Sequence, residues 1–281
     1  MPALVADIVN GEDMKSEYSY KPEWYEQIIQ NPLSYKTKAF CMYENLFFVG
    51  TLDSASHLVD TGQGLILFDT GYPNMQEFLV ESVTELGFSV SDIKMIFHTH
   101  GHFDHFGATD LIKGLSGAMT LMGTEDAINL RDNPRLSLDY YFQDIPTKFF
   151  TIDRMLNDGD VLRIGDTKVR CIHTPGHTPG AMSYEIELPF GKKALLCGGT
   201  GFNTLNLEFM EEYKVNYRPD FEKSLGIWKN LTFDFYLGNH TPQSRAVERW
   251  EKGEKPANLN DFKKYISDVE DRYYKMLSEE G

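Results

Sequence analysis

The chain has 281 residues, 41% hydrophobic and 25% charged, which is enough apolar material to bury a large core and excludes a fibrous or disordered class. Its 42 Asp and Glu outweigh 27 Lys and Arg, a formal net charge of -15 that repels phosphate backbones and anionic lipid, so neither a nucleic-acid nor a membrane partner is expected. Three scattered cysteines, Cys41, Cys171 and Cys197, lack C-x-x-C spacing and imply no disulfide framework or thiolate cluster.

The first twenty residues, "MPALVADIVNGEDMKSEYSY", carry charges and hold no apolar run of signal-peptide length, and no window approaches a membrane span. As written, the chain is expected to be cytoplasmic. Periplasmic or secreted location is the expectation if an export signal was trimmed.

Apolar, β-rich runs then recur at "NLFFVG" (45–50), "HLVD" (57–60), "GLILFDTG" (64–71), "IKMIFHTH" (93–100) and "AMTLMG" (118–123). They continue at "DVLRIGDTKVRCIHT" (160–174), "AMSYEIEL" (181–188), "KALLCGG" (193–199) and "FDFYLGNH" (233–240). Between them "MQEFLVESVTEL" (75–86) places Met75, Phe78, Leu79, Ser82, Val83 and Leu86 on one helical face, stopped by Gly87. "TEDAINLRD" and "DFEKSLGIWKNL" read as further helices. Near the end, "NDFKKYISDVEDRYYKML" aligns Phe262, Ile266, Val269, Tyr273 and Leu277 at helical spacing.

Strands come first, then strands alternating with helices, then a terminal helix. That order predicts two sheets covered by helices on their outer faces, an α/β four-layer αββα sandwich, better than a doubly wound sheet. No repeat or linker divides the chain, so residues 1–281 are expected to form one domain, with 1–40 an N-terminal extension and 255–281 a C-terminal helix packed on it. Residues 131–150, "RDNPRLSLDYYFQDIPTKFF", carry aromatics without clear periodicity and read as a packed loop or a flap beside a site.

Seven of the eight histidines, His98, His100, His102, His105, His173, His177 and His240, fall at or just after predicted strand ends, where scaffolds build sites. Four of them crowd into "HTHGHFDH" (98–105), which packing alone does not explain. Imidazole and carboxylate suit zinc, and an extended H-x-H sets two rings on one side of the backbone. On this ground His98/His100 and His100/His102 are equally good pairs.

"HGHFDHFG" (100–107), following "MIFHT", resembles the H-x-H-x-D-H signature of the metallo-β-lactamase superfamily. "GLILFDTG" resembles that family's strand ending in a supporting Asp. Residues 153–184, which contain "HTPGHTPG", resemble its third motif, and "FYLGNH" (235–240) the motif that gives its last histidine. The resemblance runs from about residue 45 to 250 and is greatest to class B, subclass three. It implies two zinc ions, the first on His100, His102 and His177, the second on Asp104, His105 and His240. It further implies a shared hydroxide nucleophile oriented by Asp104 and a supporting role for Asp69, with a cyclic amide opened, most plainly a β-lactam. The alternative is a lactone, ester or thioester hydrolase on the same site.

Many superfamily hydrolases place a metal-bridging Asp after the strand that reads "ALLCGGTGFN" here, but this chain has Gly198, Gly199 and Thr200. That departure favours the lactamase-like reading over a glyoxalase-like one. Thr200 and Asn203 are candidate substrate contacts for a small molecule, as is Tyr141, with Tyr140 and Phe142 beside it. His98 is the spare, more structural than ligating; His173 is expected to brace the turn that aims His177, and His57 to be structural.

Overall fold

The computed structural model describes residues 23–142, 145 and 147–280. Most of the expected N-terminal extension, residues 1–22, lies outside the described residues.

β1 (Phe40–Tyr43), β2 (Leu46–Phe48), β3 (His57–Asp60), β4 (Leu65–Phe68), β5 (Ile93–Phe97), β6 (Met119–Gly123) and β7 (Arg154–Leu156) form one sheet in that order. Pairing is antiparallel from β1 to β4 and parallel from β4 to β7. β8 (Val161–Ile164), β9 (Thr167–His173), β10 (Met182–Leu188), β11 (Lys192–Leu196) and β12 (Phe235–Leu237) form the second sheet, ordered β12-β11-β10-β9-β8. The helices are α1 (Glu23–Gln30), α2 (Gln76–Glu85), α3 (Phe103–Phe106), α4 (Thr109–Ser116) and α5 (Thr124–Asp132), then α6 (Leu207–Tyr213), α7 (Arg218–Lys229), α8 (Thr241–Ser244), α9 (Ala246–Glu251) and α10 (Leu259–Glu280).

The period of two along each strand divides its side chains between two layers. In β4, Ile66 and Phe68 join Val169, Tyr184, Ile186 and Leu196 of the second sheet in the inter-sheet core. Leu65 and Leu67, one step out of phase, pack with Leu79 and Val83 of α2 and Ile112 of α4. A strand buried on both faces reads as an unbroken apolar run, which is why "LILF" shows no alternation. On the far side, Ile172, Leu195 and Tyr236 meet Phe221 and Trp228 of α7 and Phe262, Ile266, Val269 and Tyr273 of α10. The result is the expected αββα layering.

Three local readings change. The run 160–174 is two strands, because Gly165 takes φ 53° and turns the chain so that Ile164 pairs with Thr167. β1 and β7 have no counterpart among the apolar runs; "FCMY" and "RML" are short edge strands, and Cys41, Arg154 and Met155 are exposed. The stretch after α5 forms short 3-10 turns at Pro134–Ser137 and Asp139–Phe142, and its Leu136, Leu138, Tyr140, Tyr141 and Phe150 pack into an aromatic-rich cluster with Tyr25, Tyr72 and Phe103. It is a packed wall.

Candidate metal centre

The ligand-type side chains converge where both sheets end. β5 stops at Phe97, and His98 to His102 continue past its C-terminal end into α3, which carries Asp104 and His105. The turn between β9 and β10 supplies His177, and the residue three past β12 is His240. His100, His102 and His177 each offer one ligand atom within 4.8 Å of the others, and so do His100, Asp104 and His105. All five are buried. His240 stands at the rim, 26% exposed, with Nε2 3.2 Å from His105 Nε2 and 3.5 Å from Asp104 Oδ2.

Hydrogen bonding fixes which nitrogen of each ring is free. The Gly201 carbonyl can only accept, so His177 Nδ1–H donates to it at 3.0 Å and Nε2 carries the lone pair. The Thr99 hydroxyl donates to Asp69 Oδ2 at 2.6 Å, which leaves its oxygen to accept from His100 Nδ1–H at 3.1 Å. His100 Nε2 is therefore a lone pair as well, and it faces His177 Nε2 at 3.2 Å. Two lone pairs at that distance repel unless a cation lies between them. His102 Nε2 is buried with no hydrogen-bond partner among the described residues, a costly state that a metal bond relieves.

Protonation agrees with a ligand role. Burial first, then the neighbouring imidazoles, hold His100 and His102 well below the usual range, and burial takes His177 down to about 4, so all three are neutral at pH 7. His105 goes the other way. Burial opposes its charge, but Asp104 and Asp69 outweigh that and lift it to about 10. Burial likewise opposes ionisation of Asp104, yet His105, His240 and His102 keep its carboxyl well below the usual carboxylate range. Two buried carboxylates around His105 call for positive charge, and a divalent ion at its Nε2 supplies it in place of the proton. Neutral imidazoles, a carboxylate and an unmatched buried nitrogen fit a bound metal.

Asp69 sits just past β4 with φ 53°, a left-handed conformation that Asp tolerates better than most residues. Its Oδ1 accepts from Thr99 N–H at 2.7 Å and its Oδ2 from His105 Nδ1–H at 2.8 Å, so this carboxylate steadies both halves of the loop. His98 is turned away from the cluster: Nδ1–H donates to Leu121 O at 2.9 Å and Nε2 accepts from Thr109 Oγ1 at 2.8 Å. His173 Nε2–H donates to Pro179 O at 2.8 Å and ties off the turn that carries His177. His57 donates to Gly238 O at 3.0 Å and stays neutral, with burial lowering it to about 4.

The substrate-contact residues fare differently. Thr200 is buried and its hydroxyl shares a 2.5 Å bond with Tyr265 of α10, so it is engaged inside the protein. Asn203 is partly exposed on the loop beside Gly201. Tyr141 stacks on Tyr25 at 5.1 Å and lies in the wall over α3. The side chain of Phe142 lies outside the described residues. Gly199 has no room for any side chain, because a Cβ there collides with the His177 ring. Among the described residues, no carboxylate reaches the cluster from that loop.

Two acidic residues went unnoticed in the sequence. Asp126, buried in the first turn of α5, accepts from Gly101 N–H at 2.8 Å, Thr178 Oγ1–H at 2.6 Å and Gly180 N–H at 2.8 Å. It thereby joins the loop of His100 and His102 to the loop of His177. Burial pushes its carboxyl up to about 6 against these three bonds. Asp53, on the loop after β2, is buried beside His240. Nothing in "TEDAINLRD" or "GTLDSAS" separates these residues from surface acids, since each is defined only by what folds against it.

Comparison with known proteins agrees with this geometry. Subclass B3 metallo-beta-lactamase BJP-1 of Bradyrhizobium japonicum superposes with a TM-score of 0.77 at 25% identity, covering 89% of this chain and 97% of that one. FEZ-1 metallo-beta-lactamase from Legionella gormanii gives 0.78 at 26% identity, covering 87% and 97%. Among curated relatives, the hydroxyacylglutathione hydrolase of Rhodospirillum rubrum is 30% identical over 131 residues, 47% of this chain and 41% of that protein. The chain spans less than half the length of the curated relatives it matches. The model of the Metallo-beta-lactamase superfamily matches residues 49–234. By that match, and by the two-sheet fold with its histidine and aspartate cluster, the chain belongs to the metallo-beta-lactamase superfamily of hydrolases.

Proposed function

We propose that the protein is a dinuclear zinc hydrolase that opens a cyclic amide, with a β-lactam as the first substrate to test. The observation that carries this reading is the convergence of two donor sets: His100 and His177 meet at 3.2 Å with His102 beside them, and His105 and His240 meet at 3.2 Å with Asp104 beside them. Three nitrogens suit the first ion; two nitrogens and a carboxylate suit the second. When bound, the pair supplies an acidified water and a Lewis acid for the substrate carbonyl.

The chain's own residues do the rest. Asp104, held ionised, turns Oδ2 toward His105 and His240, where it would hold the second ion, and its other carboxylate oxygen orients the attacking water toward the carbonyl. Asp69 keeps His105 in the Nδ1–H form and, through Thr99, does the same for His100. Tyr25 packs on Tyr141 and on Phe103, the residue before Asp104.

A second reading rests on the recess beside His102 and His177. Leu130, Leu136, Phe209, Asn129, Ser137 and Thr204 line it, and no Lys or Arg does among the described residues. The recess has room for about one water and seats no substrate itself, but the lack of a cationic side chain beside the two histidines on that side favours a neutral lactone, ester or thioester over a carboxylate-bearing β-lactam. The deciding experiment loads the protein with zinc, counts ions per chain, and measures turnover of a chromogenic cephalosporin beside a panel of lactones and thioesters. Cephalosporin turnover supports the first reading. Turnover confined to lactones or thioesters supports the second, and a fully loaded protein inert towards all of them overturns both.

A further inference from the structure

The loop between β2 and β3 is stitched to the segment that carries His240. Ala55 N–H donates to Asn239 O at 2.9 Å, Thr241 N–H to Asp53 O at 2.7 Å and Thr241 Oγ1–H to Thr51 O at 2.6 Å, while Ser54 and His240 form an isolated bridge. The same loop reaches α3, because Ser54 Oγ–H donates to the backbone carbonyl of Asp104 at 2.6 Å. Two of the three residues assigned to the second ion are thus braced by residues 51–55.

At the centre of this loop, Asp53 is 1% exposed. Tyr72 Oη–H donates to its Oδ2 at 2.5 Å, and that same oxygen lies 3.7 Å from His240 Nδ1. Among the described residues no Lys or Arg is paired with Asp53. His240 therefore presents Nε2 to His105 and Asp104 and turns Nδ1 toward a buried carboxylate 3.7 Å away, longer than a hydrogen bond but in the order of carboxylate, imidazole and metal in which a supporting acid can take the Nδ1–H and strengthen the ligand. Asp69 makes the closed form of this contact, 2.8 Å from His105 Nδ1.

We propose that Asp53, held by Tyr72, is a positioning residue for His240 that tightens binding of the second metal ion. The proposal rests on the dinuclear reading, in which His240 ligates. The negative charge of Asp53 is buried at the cost of its hydration, and an ion bound through His240 is the positive partner that offsets it. Tyr72 sets the direction of the carboxylate, and the backbone pairing of 51–55 with 239–241 sets its distance.

The test is stepwise metal titration of the chelator-treated full-length chain with cobalt(II), read by visible absorption and by calorimetry, in wild type, Asp53→Asn and Tyr72→Phe. Wild type is expected to take up two ions. Asp53→Asn is expected to keep the affinity of the first ion, lose 10- to 100-fold in the second, the usual effect of removing such a support, and change the absorption bands of the second step alone. Tyr72→Phe, which deletes one hydroxyl and spares the fold, is expected to shift the same step by a smaller factor. A wild type that binds fewer than two ions overturns the dinuclear reading and this inference with it. Two tight ions in wild type and equally tight ions in both variants overturn this inference alone, and so does equal weakening of both ions.

Discussion

Replacing Asp126 by Ala should loosen the join between two metal loops, and the size of the effect follows from three bonds. The variant leaves Gly101 N–H, Thr178 Oγ1–H and Gly180 N–H without their acceptor in a buried place. Each orphaned donor costs about 1–3 kcal/mol. Against this, ionised Asp126 is itself strained at pH 7, because its carboxyl is pushed from 3.8 up to about 6, which is worth about 3 kcal/mol by the same conversion that links pKa to free energy. The net loss at pH 7 is about 3 kcal/mol. For a chain of this length that lowers the unfolding midpoint by about 5 °C.

The pH dependence is sharper. A carboxyl raised in the folded state contributes stability that is fully present below its unfolded value of 3.8 and is lost as pH rises through about 6. The deficit of Asp126→Ala should therefore be larger at pH 4.5 than at pH 7.5, by about 2 kcal/mol. Calorimetric unfolding of both chelator-treated proteins across that range measures it, since the other titrating groups are common to the pair. A deficit that is flat with pH, or below about 1 kcal/mol throughout, refutes the account of Asp126 as a buried, strained clamp.

Three further outcomes are expected. His98→Ala should retain both ions while costing about 1–3 kcal/mol of stability, since it removes a buried ring and the acceptor of Thr109 Oγ1–H while Leu121 O keeps the backbone N–H of residue 98; loss of the first ion alone, by elemental analysis, would move the H-x-H register back by two residues. Gly199→Ala should empty the first ion site and spare the second, because the added methyl drives into the His177 ring; metal content per chain and an unchanged far-ultraviolet spectrum check it. Thr200→Val should leave KM unchanged and cost about 1 kcal/mol through the lost bond to Tyr265, whereas a several-fold rise in KM would return Thr200 to the substrate.

The sequence carries the layers because strands such as "LILF" and helices such as α2 and α10 obey periods that packing imposes. It carries the cluster around His100 because polar residues crowded at a strand end have no packing reason to be there. β1 and β7 are silent for the converse reason: edge strands of three or four residues bury too little to show a period. Asp53 and Asp126 are silent too. Their meaning lies in partners 187 and 52 positions away, His240 and Thr178, which no local pattern records. Thr200 shows the opposite failure, a polar residue on a glycine-rich loop whose hydroxyl is taken by a helix from the far end of the chain.

Tyr184 lies in the core between the sheets, and its hydroxyl donates to the backbone carbonyl of His98 at 2.5 Å, so the second sheet grips the strand end from which the first sheet's ligands depart. His100 and His102 belong to one sheet and His177 to the other. An ion held by all three is a cross-tie between two halves of the molecule, and folding and loading become one equilibrium. At a free metal concentration a hundredfold above its dissociation constant, such a tie adds about 2.7 kcal/mol to the stability of the whole. Under metal starvation the two halves keep their shared apolar layer and the hydrogen bonds of Asp126 and Tyr184 but lose this tie, and the turn carrying His177 would be the first place where amide hydrogens exchange.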